Sequence, residues 1–313
     1  MTSTLRIAHI ADLHLSREHR RYNLRRVRRL LEAVVRENVD HVVITGDIAA
    51  DANSGDFEAA RKLLSSAGLL DPRRLSVVIG NHDIFGGVHK AEDILTFPRR
   101  CRETDFGAKV EEFRGYFREA FAKSVFGAPS NPFPYAKLLG DVALIGLNSI
   151  AHYSRLKNPV GSNGAVGDSQ FRRTRQLLEM PEVRSRKKIV LIHHHFNKME
   201  APETGALNSV WGAIERQTMK LRGKKRLLEL MQEHEVALVM HGHVHVNESY
   251  ERKGIPFLNG GGTILGPQNP ASTFRLVEVR PASIETRLIQ VPDEASSLPS
   301  VGGRRDIGEL QAA

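Results

Sequence analysis

The sequence predicts an α/β fold whose strands are covered by helices. Two observations indicate this class. Short apolar runs alternate with helical patterns over residues 5–79, and several apolar runs end in a turn that carries histidine, aspartate or asparagine. The composition agrees, since 41% hydrophobic and 26% charged residues in a chain of 313 are typical of a globular protein with a buried core.

Hydrophobic periodicity places the individual elements. The predicted strands, which are short apolar runs, cover residues 5–10, 39–45, 75–79, 142–148, 188–192 and 236–240. The predicted helices, in which apolar side chains recur at helical spacing, cover residues 20–37, 56–67 and 223–234, and another begins near Asp168. Residues 255–260, 273–279 and 284–290 are predicted to form antiparallel strands, with a turn at Gly260, Gly261 and Gly262.

Residues 84–136 interrupt this alternation. The stretch is rich in aromatic side chains, namely Phe97, Phe106, Phe113, Tyr116, Phe117, Phe121, Phe126, Phe133 and Tyr135. Residues 110–126 within it are predicted to form an amphipathic helix. We therefore expect one domain over residues 1–291, in which 84–136 is a helical insertion packed over the main fold. Residues 292–313 are small and polar and are predicted to be a disordered tail.

Charge and cysteine content narrow the class of protein. The single cysteine, Cys101, excludes an internal disulfide and a thiolate metal cage. The N-terminus lacks the apolar core of a signal peptide, and no segment is apolar for long enough to span a bilayer, so we expect a cytoplasmic protein. The net charge of +9 predicts an anionic partner, such as a phosphorylated substrate, nucleic acid or an acidic membrane surface. An arginine-rich overall composition explains the charge equally well.

Polar clusters follow the predicted strands. In order they are Asp12-Leu13-His14, Gly46-Asp47, Gly80-Asn81-His82-Asp83, His193-His194-His195 and His241-Gly242-His243-Val244-His245. Each cluster alone has a structural interpretation as a turn. Because ligands bind at the carboxyl ends of strands in α/β sheets, the five together predict one site. Imidazole and carboxylate groups collected there indicate a metal site with enough ligands for two ions.

The order of these motifs, D-x-H, G-D, G-N-H-D, H and G-H-x-H, is similar to that of the calcineurin-like metallophosphoesterase superfamily. The resemblance covers about residues 5–280. The segment 164–170, which includes a glycine turn and Gln170 at the start of a helix, resembles the cyclic-nucleotide and glycerophosphodiester phosphodiesterase branch. The resemblance implies a four-layer α-β-β-α sandwich that forms a metallophosphoesterase catalytic domain.

The resemblance also implies the ligands of two divalent metal ions, drawn from Mn, Fe, Zn and Co. The first ion would be held by Asp12, His14 and His245, and the second by Asn81, His193 and His243, with Asp47 bridging them. His194 is the alternative to His193, because the proline that usually follows this ligand in the family is absent here. Three adjacent histidines cannot all face one metal, since neighbouring side chains diverge.

The chemistry implied by the resemblance is phosphoester hydrolysis, in which a hydroxide bridging the two metals attacks phosphorus. His82 would stabilise or protonate the leaving group, and Asp83 would orient the ring of His82. The expected activity is that of a phosphodiesterase acting on a small phosphoester, with a cyclic nucleotide or another small diester as the default substrate. A scaffold that has lost catalysis is disfavoured, because every ligand of the motif set is present.

The substrate has alternatives. A lipid-linked phosphate or pyrophosphate at a membrane surface would contact the aromatic insertion and a basic stretch of the sequence. This basic stretch consists of Arg17, Arg20, Arg21, Arg25, Arg26, Arg28 and Arg29. The alternative interpretation of the stretch is a solvated helix face. The lipid A pyrophosphatase branch of the family has arginine where His82 stands, which disfavours that activity. Nucleic acid is disfavoured because the chain has no evident DNA-binding module. Asn148, His152 and Asn163 are candidate substrate contacts.

Overall fold

The computed structural model describes residues 4–19, 21–128, 131–197, 219–264, 271–293 and 305–306. Its strands are β1 (Leu5–Ile10), β2 (His41–Thr45), β3 (Leu75–Val78), β4 (Tyr135–Leu139), β5 (Val142–Gly146), β6 (Gly164–Ala165), β7 (Lys187–Leu191), β8 (Leu221–Arg222), β9 (Val236–His241), β10 (Ser249–Arg252), β11 (Ile255–Asn259), β12 (Ala271–Val279), β13 (Ile284–Pro292) and β14 (Arg305–Asp306). Its helices are α1 (Arg21–Arg36), α2 (Ser54–Ser66), α3 (His82–Phe85), α4 (Ala91–Glu103), α5 (Phe106–Tyr116), α6 (Arg118–Phe121), α7 (Asp168–Glu179), α8 (Pro181–Arg184) and α9 (Lys224–Glu233).

Two six-stranded sheets contain most of these strands. The first has the order β14-β13-β12-β1-β2-β3, and β1, β2 and β3 are parallel. The second has the order β10-β11-β9-β7-β5-β4, and its four central strands are parallel. The carboxyl ends of these parallel strands provide the loops from which the site is built.

The second sheet is buried on both faces. Leu144 on β5 packs in a core shared with the strands of the first sheet, whereas its neighbour Ile145 packs in a second core with residues of α7 and α9. Ile189 and Val190 on β7 alternate in the same way. Such alternation explains why these strands are apolar throughout. Because α1 covers the first sheet, the predicted four-layer α-β-β-α sandwich is confirmed.

One predicted pairing is wrong. Residues 255–260 were expected to join 273–279 and 284–290 in an antiparallel group. Instead, β11 belongs to the second sheet, where it runs parallel to β9, while β12 pairs antiparallel with β1 and β13 in the first sheet. Three successive apolar runs have the same pattern whichever sheet they join, so periodicity alone does not assign the partner.

The aromatic insertion contributes to the main core. The helix predicted over 110–126 is divided between α5 and α6, and Tyr135 begins β4, a strand that the sequence analysis missed. Phe113, Phe117 and Tyr135 are buried in the core of the first sheet, and the Tyr135 hydroxyl donates to the Val77 carbonyl at 2.8 Å. The insertion is therefore packed against β3 by both apolar and polar contacts.

A buried lysine fixes the same contact. Lys137 Nζ donates to the carbonyl oxygen of Leu75 at 2.8 Å and to that of Glu119 in α6 at 3.2 Å. Burial lowers the pKa of Lys137 to about 8, because an ammonium group loses hydration inside the protein. These bonds connect α6 to the residues that begin β3.

Two further expectations concern the membrane and the tail. In the part of the chain that the structure describes, no helix combines the length and the apolar character needed to cross a membrane. Pro292, the first residue of the predicted tail, still belongs to β13, and Arg305–Asp306 within that tail form β14, which pairs antiparallel with β13. Residues 294–304 and 307–313 of that tail lie outside the described residues.

Candidate metal centre

Three loops of the first sheet bring candidate ligands to one edge. Asp12 and His14 follow β1, Asp47 follows β2 and Asn81 follows β3. Asp12, His14 and Asp47 have positive φ angles of 55°, 42° and 51°. This left-handed conformation is uncommon outside glycine and is found where the surrounding structure enforces it, often at functional sites. The backbone therefore turns sharply at each strand end and directs these side chains towards the second sheet.

The second sheet supplies histidines from the opposite side. His193 follows β7, and His243 and His245 follow β9, with His243 again at a positive φ of 75°. The backbone N–H of His243 donates to both carboxylate oxygens of Asp12, at 3.1 and 3.0 Å. This pair of hydrogen bonds joins the loops of the two sheets directly at the site.

The side chains form two groups of three. Asp12, His14 and His245 offer ligand atoms that all lie within 4.8 Å of one another, and Asp47, His193 and His243 form a second such group. In the first group His14 Nε2 lies 3.0 Å from His245 Nε2. In the second, His193 Nε2 lies 3.1 Å from His243 Nδ1. Asn81 joins the second group, since its Oδ1 lies 3.0 Å from His193 Nε2.

Asp47 lies between the two groups. Its Oδ2 is 3.8 Å from His14 Nε2 and 3.5 Å from His193 Nε2, while its Oδ1 accepts a hydrogen bond from the His82 backbone N–H at 2.8 Å. One carboxylate oxygen thus faces a nitrogen from each group. This position suits a ligand shared between two ions, as the resemblance implies.

The geometry fits bound cations. His193 Nδ1 lies 2.9 Å from the Thr45 carbonyl oxygen, which can only accept, so the proton of the neutral ring is on Nδ1. His193 Nε2 then presents a lone pair to Asn81 Oδ1, which is also an acceptor. Two acceptors at 3.0 Å repel each other unless both coordinate one cation that lies beside them. Buried His243 Nε2 has no hydrogen-bond partner among the described residues.

The electrostatics point the same way. Burial and the neighbouring Asp47 carboxylate hold the pKa of Asp12 well above its usual range. Burial also lowers the pKa of His193 and, more strongly, that of His243, so both rings are neutral and can act as ligands. A bound divalent cation would favour the ionised form of the carboxylates and the neutral form of the imidazoles. The residues present therefore suit the two metals that the resemblance implies.

Close-packed glycines leave room for this arrangement. A Cβ atom on Gly80 would lie 2.1 Å from Asp47 Oδ1 and 2.2 Å from Asp47 N, and one on Gly242 would lie 2.7 Å from Asp12 Oδ2. All three distances are below van der Waals contact. Only glycine at these two positions allows the backbone to approach the carboxylates so closely.

Gly80→Ala is expected to displace Asp47 and to lower both metal content and activity. A shift of about 1 Å at a catalytic group costs on the order of 10²-fold in rate. Metal analysis and steady-state kinetics would measure the two effects. The control is Gly115→Ala, because the new Cβ in α5 would meet no atom within 4 Å. Equal metal content and activity in the two variants would contradict the steric conflict expected between a Cβ atom at position 80 and Asp47.

His82 lies beside the centre, but Asp83 does not contact its ring. His82 Nδ1 donates to the carbonyl oxygen of Ala50 at 3.1 Å, and the ring packs against His14 with centroids 4.6 Å apart. The Asp83 carboxylate accepts from the backbone N–H groups of Ala49 at 2.9 Å and Gly80 at 2.8 Å. The ring-orienting role predicted for Asp83 is therefore corrected: the Ala50 carbonyl orients the ring, and Asp83 holds the loops together.

The remaining histidines of the clusters have different surroundings. The backbone N–H of His194 donates to Ser149 Oγ, and its ring lies between that hydroxyl, 2.8 Å from Nδ1, and the Ser162 carbonyl, 3.2 Å from Nε2. Both of its nitrogens are thereby engaged away from Asp47. His241 Nε2 lies 2.8 Å from the Tyr250 hydroxyl. His195 is buried, and burial lowers its pKa to about 4. Of the triplet, the structure brings His193 to the two groups.

The candidate substrate contacts are mostly engaged within the protein. Asn148 Oδ1 accepts from Ile150 N at 2.8 Å, Asn163 Oδ1 accepts from Lys220 N at 3.0 Å, and the His152 ring stacks on Phe106 at 3.9 Å. Gln170, part of the phosphodiesterase-like segment, bonds both backbone polar groups of Asn148. These residues shape the loop that follows β5.

The basic stretch is divided between surface and interior. Its exposed members are Arg17, Arg21, Arg25, Arg28 and Arg29. Arg26 is buried, and its Nε donates to Asp293 at 2.6 Å. Arg20 lies outside the described residues. Most of the stretch is therefore a solvated face of α1 and the loop before it.

Comparisons with known proteins agree with the geometry. A family model described as calcineurin-like phosphoesterase matches residues 5–247. The fold is similar to that of a dimetal phosphatase from Danio rerio, with 13% identity, a TM-score of 0.63, and coverage of 92% of this chain and 96% of that one. It is also similar to purple acid phosphatase PPD1 from yellow lupin, with 15% identity, a TM-score of 0.58, and coverage of 100% and 56%. No curated protein sequence matches significantly.

Proposed function

Because this chain belongs to the calcineurin-like phosphoesterase family, we propose that it is a phosphodiesterase for small phosphodiesters, with cyclic nucleotides as the preferred class. The observation that carries the proposal is the placement of His82. Its Nδ1–H is held by the Ala50 carbonyl, and a ring nitrogen lies within 4.8 Å of ligand atoms of His14 and Asp47. The chain thus provides a proton donor beside the two groups of candidate metal ligands.

The metal ligands are proposed as the two groups of the site. Asp12, His14 and His245 hold one ion. Asn81, His193 and His243 hold the other, and Asp47 contacts both. When bound, two divalent ions of Mn, Fe, Zn or Co would supply Lewis-acid activation of the phosphate and of a water molecule.

The tautomer of His82 supports cleavage of phosphoesters that have alcohol leaving groups. Because Nδ1 donates to the backbone, the second proton of the imidazolium form is on Nε2, the nitrogen that remains for substrate. The alkoxide released from a diester is strongly basic and leaves poorly, so a proton delivered from His82 Nε2 lowers the barrier. A leaving group of low pKa needs that proton much less. The arrangement therefore favours phosphoesters with alcohol leaving groups, a class that includes small diesters.

The charge around the site also suits a diester, whose phosphate carries one negative charge. In the described ranges of the chain, no lysine or arginine forms an ion pair with Asp12 or Asp47; the basic side chains within 4.0 Å of these carboxylates are histidines. A phosphate monoester carries up to two negative charges and gains more from fixed cations. We therefore expect the monoester to be the poorer substrate.

A substrate panel tests the proposal. Protein loaded with Mn²⁺ is expected to hydrolyse bis(p-nitrophenyl) phosphate and a cyclic nucleotide with higher kcat/KM than p-nitrophenyl phosphate. The panel includes a lipid-linked pyrophosphate in mixed micelles. Faster turnover of the monoester or of the lipid pyrophosphate than of every diester would overturn the phosphodiesterase assignment while leaving the family assignment intact.

A further inference from the structure

A second set of metal-ligating side chains lies outside the two groups described above. His19, Asp51 and His89 each offer one ligand atom within 4.8 Å of the other two. His89 Nε2 is 2.5 Å from Asp51 Oδ1, and the rings of His19 and His89 stack with centroids 4.3 Å apart and planes inclined by 18°. We propose that these three side chains bind a third divalent transition metal ion, for which Zn²⁺ is the probe.

The donor set suits such an ion. Two imidazoles and one carboxylate are ligands that Zn²⁺ takes at about 2.0–2.2 Å, usually with water in the remaining position. The side chains of His89 and Asp51 are 8% and 18% exposed, so both are largely held in place, whereas that of His19 is 33% exposed and can turn. Coordination by all three donors requires the His19 ring to turn out of its stack on His89, which its exposure allows. The partly open side leaves room for a water ligand.

The three residues come from the three loops that carry the centre on the first sheet. His19 lies five residues after His14, Asp51 four after Asp47, and His89 seven after His82. An ion there would tie these loops together on their solvent side. The proposed third site is linked to His82 through the backbone. Asp51 directly follows Ala50, whose carbonyl oxygen orients the His82 ring. The third ion would therefore stabilise the loops that position His82.

A simple ion pair between Asp51 and His89 does not account for the position of His19. The contact with His89 accounts for Asp51, whereas the ion pair of His19 with Glu18 spans 3.9 Å to a carboxylate that is 83% exposed and holds the His19 ring only weakly. The backbone of His89 is held in place, since its N–H donates to Asp93 Oδ2 at 3.0 Å. Two imidazoles beside one carboxylate are instead a donor set that a single divalent metal ion can hold together.

Metal counting tests the inference. The full chain is stripped with a chelator, titrated with Zn²⁺, desalted and analysed by mass spectrometry for zinc per chain. His19→Ala and His89→Ala are each expected to bind one Zn²⁺ fewer than the wild type, and Zn²⁺ should raise their melting temperature less. The control is His234→Ala, which removes a histidine beyond the end of α9. It should bind as many ions as the wild type.

The test is separable from the proposed function, because it counts ions and not turnover. In an Asp47→Asn background, which weakens the two-ion centre, the remaining zinc should disappear on adding His89→Ala. His19 is partly exposed, so His19→Ala is expected to fold even if His89→Ala does not. Unchanged zinc content in His19→Ala, with the same Zn²⁺-dependent melting temperature as the wild type, would overturn the third site.

Discussion

Asp47→Asn is expected to lose both ions of the proposed centre and to reduce kcat/KM by at least about 10³-fold, the scale on which removing one member of a catalytic unit acts. Its Oδ2 faces His14 and His193 at once, so the substitution weakens both groups. Asparagine is chosen because it tolerates the positive φ of 51° at this position, whereas alanine would be strained. The side-chain oxygen can still accept from His82 N. Loss of metal would then reflect the missing charge.

Metal analysis and kinetics with a diester measure this effect. Asp141→Asn is the matched control, because Asp141 is an exposed carboxylate in the loop between β4 and β5. Circular dichroism should show the same fold for both variants. Full metal content in Asp47→Asn would rule out the proposed bridging position of this carboxylate.

The edge of the sheets on which the site is built could be predicted from the sequence, because each candidate ligand is placed by the strand directly before it. Asp12, Asp47 and Asn81 directly follow apolar runs, and parallel strands place their carboxyl ends at one edge of a sheet. The same reasoning applies to His193 and His243 in the second sheet. Neighbouring side chains of a triplet diverge, which explains why only one of its members reaches Asp47.

Other features depend on contacts that no local pattern records. The sheet that β11 joins is decided by packing between distant segments, and its apolar alternation fits either sheet. The partner of His82 is a backbone carbonyl, that of Ala50, which no side-chain motif could indicate. Likewise, the stacking of His19 on His89 depends on the conformations of the two loops that carry them, which the residue types do not indicate.

Backbone conformation is another hidden feature. Positive φ angles at Asp12, His14, Asp47 and His243 are required to aim these side chains, yet nothing in their residue types demands this conformation. Gly80 and Gly242 give the one available signal, since each stands beside a candidate ligand. Their function is to allow close approach of the backbone to a carboxylate, which the structure shows and the motif only suggests.

His82→Ala is expected to keep both ions of the centre and to lower kcat by about 10²–10⁴-fold on an alkyl diester, the range typical of general acid–base catalysis. Metal should be retained because the contact to Asp47 comes from the backbone N–H of residue 82. The loss should shrink with a p-nitrophenyl leaving group, which departs without a proton.

The comparison of leaving groups separates proton donation from positioning. If His82 only shaped the site through its packing on His14, its loss would slow alkyl and p-nitrophenyl diesters by the same factor. His234→Ala serves as the control for removing a histidine far from the centre. A uniform loss, or metal release from His82→Ala, would contradict the role of proton donor. A loss that grows with leaving-group basicity would place the proton on Nε2, as the bond from Nδ1 to Ala50 requires.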